Sequence, residues 1–245
     1  MAEFLPELEI QTPERQRRLT VLLRLILLIP QDIVLFFLSI AAGVVMVLGW
    51  FGALFLGRLP YWAAEFLSGY LAYYVRVYGY EFLLVDRYPP FRWRPDDYPV
   101  VIRLQSGRLN RLAVFFRIIL VIPAAIVTDV LLAGWGVLSF FIWLIVLILG
   151  RMPQPLAGAG YALLRYVFRT QAYFMLLTSA YPKRLFGDDP TEPATPEHRP
   201  LVLSEGARAM LVVLIVLGVL SSAASGIESR YMNNTQNAQS GLSGR

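Results

Sequence analysis

Apolar residues run through this chain in long windows that few polar positions interrupt. Ile33–Leu56 carries no charge, and Val130–Leu149 and Leu211–Ile227 read the same way. Windows of this kind approach or exceed the ~20 residues needed to cross ~30 Å of hydrocarbon at ~1.5 Å per residue. Ahead of the first window, Arg17, Thr20, Arg24 and Gln31 recur at helical spacing among Leu and Ile. A narrow polar stripe of this type predicts an amphipathic helix over Arg17–Ile29, lying at the membrane interface. Pro30 is expected to end that helix and to sit in the first turn of the next one, where a missing N–H costs nothing. Further upstream, "LPELEI" (5–10) alternates in part, as does "YPVVIRL" (98–104). Both predict short peripheral β-strands.

The pattern is written twice. At an offset of 93 and without gaps, 29 of the 75 positions from 15 to 89 are identical. Chance matches among Leu and Ile would not bring Arg18, Arg24, Pro30, Trp50, Arg76 and Tyr80 onto Arg111, Arg117, Pro123, Trp143, Arg169 and Tyr173. Each copy also contains G-R-x-P: Gly57, Arg58 and Pro60 in the first, Gly150, Arg151 and Pro153 in the second. Glycine suits the left-handed position past a helix end and proline suits a helix start, so the motif predicts a tight hairpin turn at the membrane surface. The returning segments, Tyr61–Val85 and Gln154–Thr178, match the outgoing spans in length but carry Glu65, Arg76, Arg165 and Arg169. They either cross back or lie at the interface. The positive-inside rule favours crossing, because two spans per repeat place both arginine-rich lead-ins on one side.

The expected fold is therefore all-α and polytopic: two tandem helical-hairpin repeats with interfacial helices, plus a fifth transmembrane helix. Residues 1–93 form the first repeat (spans about 33–56 and 61–85) and 94–190 the second (about 126–149 and 154–178). A polar linker (191–206), a helix (207–227) and a disordered tail (228–245) follow. The N-terminus is placed in the cytoplasm and the C-terminus on the opposite side.

Composition narrows the chemistry. The chain is 57% hydrophobic and 16% charged, with net charge +5. It lacks cysteine, and its one histidine, His198, sits in the polar linker. A thiolate nucleophile, a disulfide and an intramembrane histidine-held haem are thereby excluded. No Ser–His–Asp set, Walker loop or GxGxxG is present. The expectation is a protein that is no enzyme and holds no cofactor or metal.

Candidate residues are of four kinds. Arg18, Arg24, Arg111, Arg117, Arg76 and Arg169 could grip lipid phosphates or other anions, or merely set orientation and snorkel. Glu65 and Asp129 are polar groups within apolar segments; Glu65 lies about three turns from Arg76 and is its candidate partner. Tyr88, Phe91 and Trp93, in "DRYPPFRWRPDDYP", could dock a partner or anchor at the interface. The turn residues of G-R-x-P complete the set.

The order R-L-x4-R-x5-P, an apolar span, G-R-x-P, a tyrosine-rich helix and "DRYPPF" (86–91) resembles the bacterial membrane family called domain of unknown function 4389, in two copies over most of 5–190. The second copy departs from it by closing "SAYPKRLF" and by placing Asp129 inside its first span. The resemblance implies a bacterial membrane, taken as the inner one, and an architecture, but no activity. The functional expectation is a non-catalytic accessory subunit packed against a larger membrane complex. A lipid-binding or membrane-organising protein is the alternative, and a small transporter or channel ranks third. Expected partners are anionic lipids and a membrane protein, not nucleic acid.

Overall fold

The computed structural model describes residues 5–93, 95, 97–105, 107–189, 191 and 200–243, with side chains as far as Gly226. Residues 192–199 of the linker, including His198, lie outside the described residues. Each repeat contributes a strand, a short helix, a long helix and a returning helix. They are β1 (Glu7–Ile10), α1 (Arg18–Leu22), α2 (Arg24–Leu56) and α3 (Tyr61–Glu81), then β2 (Val100–Arg103), α4 (Arg111–Phe115), α5 (Arg117–Leu149) and α6 (Gln154–Phe174). Every element of the second set begins 93 residues after its counterpart, so the duplication is structural and includes the strands. A last helix, α7 (Glu205–Ser243), follows. Its backbone continues helical well beyond 227, through the polar stretch for which the sequence suggests disorder.

Three helices are long and apolar enough to cross a membrane: α2, α5 and the Glu205–Gly226 part of α7. They are candidate spans of the kind expected of a multi-pass membrane protein. α3 and α6 are not among them, although two spans per repeat were expected. Their apolar character is diluted by charged and polar residues, and most of their side chains are buried inside the protein.

The break before each long helix falls earlier than expected. Pro30 and Pro123 lie inside α2 and α5, each the seventh residue of its helix, and the chain bends instead at Leu23 and Phe116. A proline in the second turn forgoes one main-chain hydrogen bond. Around the bend, the Leu27 amide still reaches the Leu23 carbonyl at 3.0 Å. At the far end Gly57 and Gly150 take φ of +68° and +66°, the left-handed cap that lets α3 and α6 turn back at once.

The repeats clasp each other about a pseudo-two-fold axis. β1 pairs with β2 antiparallel, Glu7 opposite Arg103 and Ile10 opposite Val100, so the axis passes through this two-stranded sheet. The lead-in of each repeat docks on the turn of the other: the Gln16 amide donates to the Gly150 carbonyl (2.8 Å), and the Leu109 amide to that of Gly57 (2.9 Å). The indole of Trp143 donates to the Val21 carbonyl (2.8 Å) and that of Trp50 to the Val114 carbonyl (2.9 Å). The two arginine-rich lead-ins therefore sit at opposite ends of helices about 50 Å long, given 33 residues at ~1.5 Å rise. Two spans per repeat were expected to bring both lead-ins to the same end of the long helices; the structure places them at opposite ends. Their positions are set by pairing between repeats, which a span-by-span reading does not see.

The elements form layers. α2, α5 and α7 make an apolar layer, with α5 and α7 in backbone contact. A Cβ on Gly134 would lie 1.9 Å from the Leu214 carbonyl oxygen, and one on Gly218 would lie 1.8 Å from that of Val130. Small residues at such crossings let helices approach closely. α3 and α6 lie beneath and pack on each other. The sheet and loops cover the far side of that pair. Ala63 of α3 meets Gly49 of α2, whereas Ala72 faces Val100–Leu104; nine residues are about two and a half turns, hence opposite faces.

Replacing Trp50 or Trp143 with Phe removes one inter-repeat hydrogen bond while keeping an aromatic ring. Each change is expected to cost about 1 kcal/mol, and the pair close to the sum, since the two sites are far apart. Thermal melts of the detergent-solubilised protein check this.

Candidate functional site

The buried arginines dominate the interior. Arg24, Arg76, Arg117, Arg165 and Arg169 are all at most 4% exposed. A guanidinium removed from water needs partners for its donors, and here the partners are mostly loop carbonyls. Arg24, at the head of α2, donates to the Tyr80 carbonyl (2.6 Å) and to the Gln16 side chain (3.4 Å). It also lies 3.6 Å from Asp86 and 4.2 Å from the centre of the Tyr80 ring. Arg117, its counterpart, donates to the Tyr173 carbonyl at 2.8 Å and to that of Thr178, with its guanidinium 3.7 Å from the Tyr173 ring centre. Each thus fixes the end of the returning helix, where Leu83 and Leu176 take φ of +62° and +63°.

One level deeper, Arg76 donates to the Arg92 carbonyl (2.8 Å) and Arg169 to those of Pro6 and Lys183 (3.0 Å each). Arg165 makes a two-pronged ion pair with Asp188 (2.6 and 3.1 Å), and the Leu201 amide also donates to that carboxylate (2.8 Å). Burial would raise the Asp188 pKa. The hydrogen bonds from Arg165 and Leu201 and the nearby positive charge of Arg165 and Arg169 outweigh it and hold the pKa at about 2. Among the described residues, Arg24 Nε, Arg76 Nε, Arg169 Nη2 and the Tyr80 hydroxyl remain buried without a hydrogen-bond partner.

The sequence candidates divide accordingly. Arg24, Arg76, Arg117 and Arg169 are committed to internal carbonyls. Arg18 and Arg111 are exposed, on the lead-ins, and Arg18 reaches the Ile148 carbonyl at 3.1 Å. Each lead-in thereby gathers a basic group with the turn it meets: Arg15, Arg17 and Arg18 beside Arg151, and Arg108 and Arg111 beside Arg58. Glu65 is exposed and does not meet Arg76, and Asp129 is exposed next to the buried Thr128. Trp93 lies against Gly69, where a Cβ would come within 2.0 Å of the indole nitrogen. Tyr88 packs on Tyr80, while Phe91 stays 59% exposed.

Sequence reasoning passed over Asp188, Gln16 and the buried Gln31, whose amide donates to the Pro89 carbonyl (2.8 Å) and accepts from the Tyr73 hydroxyl. Only the helical spacing of Gln31 with Arg24 hinted at a shared inward face. A groove of about 540 Å³ opens between α2 and α5, floored by Phe82 and Trp135 and flanked by Leu28, Phe140 and Trp143. Among the described residues no group of three metal-ligating side chains occurs.

A duplicated helical unit with one apolar layer and one arginine-stapled layer defines a membrane protein of internal two-fold design. The chain belongs to the family described as domain of unknown function DUF4389, which matches at residues 18–92 and 111–185. No curated protein and no solved structure matches it.

Protonating Asp188 would break its pair with Arg165. Its folded-state pKa is depressed, so its contribution is complete above the ordinary value of 3.8 and is lost as pH falls toward about 2. Asp188→Asn is expected to cost about 3 kcal/mol at neutral pH by stranding a buried guanidinium, and to flatten the acid limb of a stability-versus-pH profile measured by tryptophan fluorescence.

Proposed function

We propose that the protein is a non-catalytic membrane-organising protein that holds anionic phospholipid at both ends of its apolar layer. The observation that carries this reading is the gathering of exposed arginines from separate repeats into two groups at the ends of that layer. Guanidinium groups donate in a planar fork that suits phosphate. Beside an anionic surface each basic side chain contributes about 1 kcal/mol. The apolar groove between α2 and α5 offers room for hydrocarbon within the same layer. Exposed Tyr61 and Trp62, next to Arg58, add amphipathic rings of the kind enriched at the headgroup level.

The accessory-subunit reading ranks second and draws on the exposed Phe91 beside a charged loop. It would be supported by a stoichiometric protein partner that co-purifies from native membranes. The proposal takes the location to be a bacterial inner membrane.

The lipid reading is tested with Arg15, Arg17 and Arg18 changed together to Gln, and separately Arg58, Arg108 and Arg111. Each triple variant is expected to lose roughly 100-fold in affinity for vesicles containing phosphatidylglycerol, from about 3 kcal/mol. Binding to phosphatidylcholine vesicles should not change, and the loss should shrink at high salt. Equal binding of variant and parent to anionic vesicles would refute it.

A further inference from the structure

The apolar helices are long enough to cross a bilayer, yet their partners in the fold oppose an upright placement. β2 lies against the middle of α3, with Val100 beside Gly79 and Val100–Leu104 along Ser68, Ala72 and Arg76. β1 lies against the middle of α6, where the Tyr161 hydroxyl donates to the Leu8 carbonyl (2.5 Å) and Arg169 to that of Pro6. α3 runs antiparallel to α2 and α6 to α5, so the sheet stands level with the centre of the apolar layer. Were α2 and α5 upright, Glu9, Arg76, Arg103, Arg165, Arg169 and Asp188 would lie at the depth of the acyl chains. So would the outer face of a two-stranded sheet, on which Val101 is 45% exposed. Non-helical backbone is not found facing lipid at that depth, and intramembrane charge is costly.

Turned flat, the same molecule keeps those six charges and the sheet out of the acyl region, leaving the exposed Asp32 and Asp129 as the carboxylates on the apolar layer. Phe36, Phe37, Ile40, Phe55, Phe140 and Phe141 all stand more than half exposed on the side of the apolar layer that faces away from α3 and α6. The charged sheet and loops occupy the opposite side. The two exposed arginine groups then border the apolar face at both of its ends, within reach of one and the same headgroup layer. Upright, they would instead face opposite sides of the membrane, against the positive-inside bias.

We infer that the protein is seated in a single leaflet, with α2, α5 and the apolar part of α7 lying in the membrane plane and the β1–β2 layer in water. The occupant of the exposed apolar face is the acyl region of that leaflet. This rests on the lipid-facing reading of the layer, and not on which headgroups the arginines prefer.

The chain lacks cysteine, so single cysteines report unambiguously. Glu14→Cys and Gln105→Cys mark the two lead-ins and Val101→Cys the sheet; all three parent residues are exposed. Sealed native-membrane vesicles of both orientations are treated with a membrane-impermeant maleimide. All three positions are expected to react in one and the same orientation and to stay unreacted in the other. Reaction of Glu14→Cys and Gln105→Cys in opposite orientations would establish a crossing arrangement and overturn the inference. So would shielding of Val101→Cys in both orientations. Failure of the anionic-lipid reading would show in vesicle affinity alone and leave this labelling pattern unchanged.

Discussion

The structure depends on hydrogen bonds from buried guanidinium groups to main-chain carbonyls. Arg24 and Arg117 hold the ends of the returning helices, and Arg76 and Arg169 hold the loops and the N-terminal segment that run back along them. In an apolar setting these bonds face little competition from water, and an unmade one leaves a costly donor. A guanidinium carries five donors in a rigid plane, so one side chain can tie several strands of chain at once. This is how segments with almost no regular secondary structure stay in place over α3 and α6.

The second constraint is the exchange between repeats. Each lead-in satisfies the open carbonyl of the other repeat's glycine turn, and each long helix sends a tryptophan to the other repeat's short helix. Neither repeat can close these bonds alone. The two-stranded sheet has the same logic, since a single strand from each copy has no ladder until the copies meet. α7 then extends the apolar layer from one side only, through backbone contact at Gly134 and Gly218. The counterpart of Gly134 in the first repeat is Ala41, and the ideal two-fold symmetry ends there.

The interior arginines hold the fold together, and the proposed lipid contacts lie at the surface. The lipid proposal draws on what is exposed: an apolar face, two basic groups and a groove between α2 and α5. The charged sheet behind them limits how that face can meet a bilayer.

Much of this was legible in the chain. The apolar windows, the 93-residue duplication and the glycine turns follow from short-range rules: hydrophobic length, repeated spacing and the one backbone conformation that favours glycine. The paired strands were legible as strands, but not as partners of each other. The arginines were recognised as unusual, yet a guanidinium that snorkels, binds phosphate or staples a loop looks the same in one dimension. What separates these fates is the set of carbonyls within 3 Å, supplied by residues as distant as Pro6 for Arg169. Pro30 misled as well: the bend falls at Leu23, immediately before the buried Arg24, and the helix runs on through the proline. The sequence by itself determined the elements and their duplication, since those depend on local periodicity. Only the tertiary structure decided which ends meet and which charges are buried, because these depend on one repeat completing the hydrogen bonds of the other.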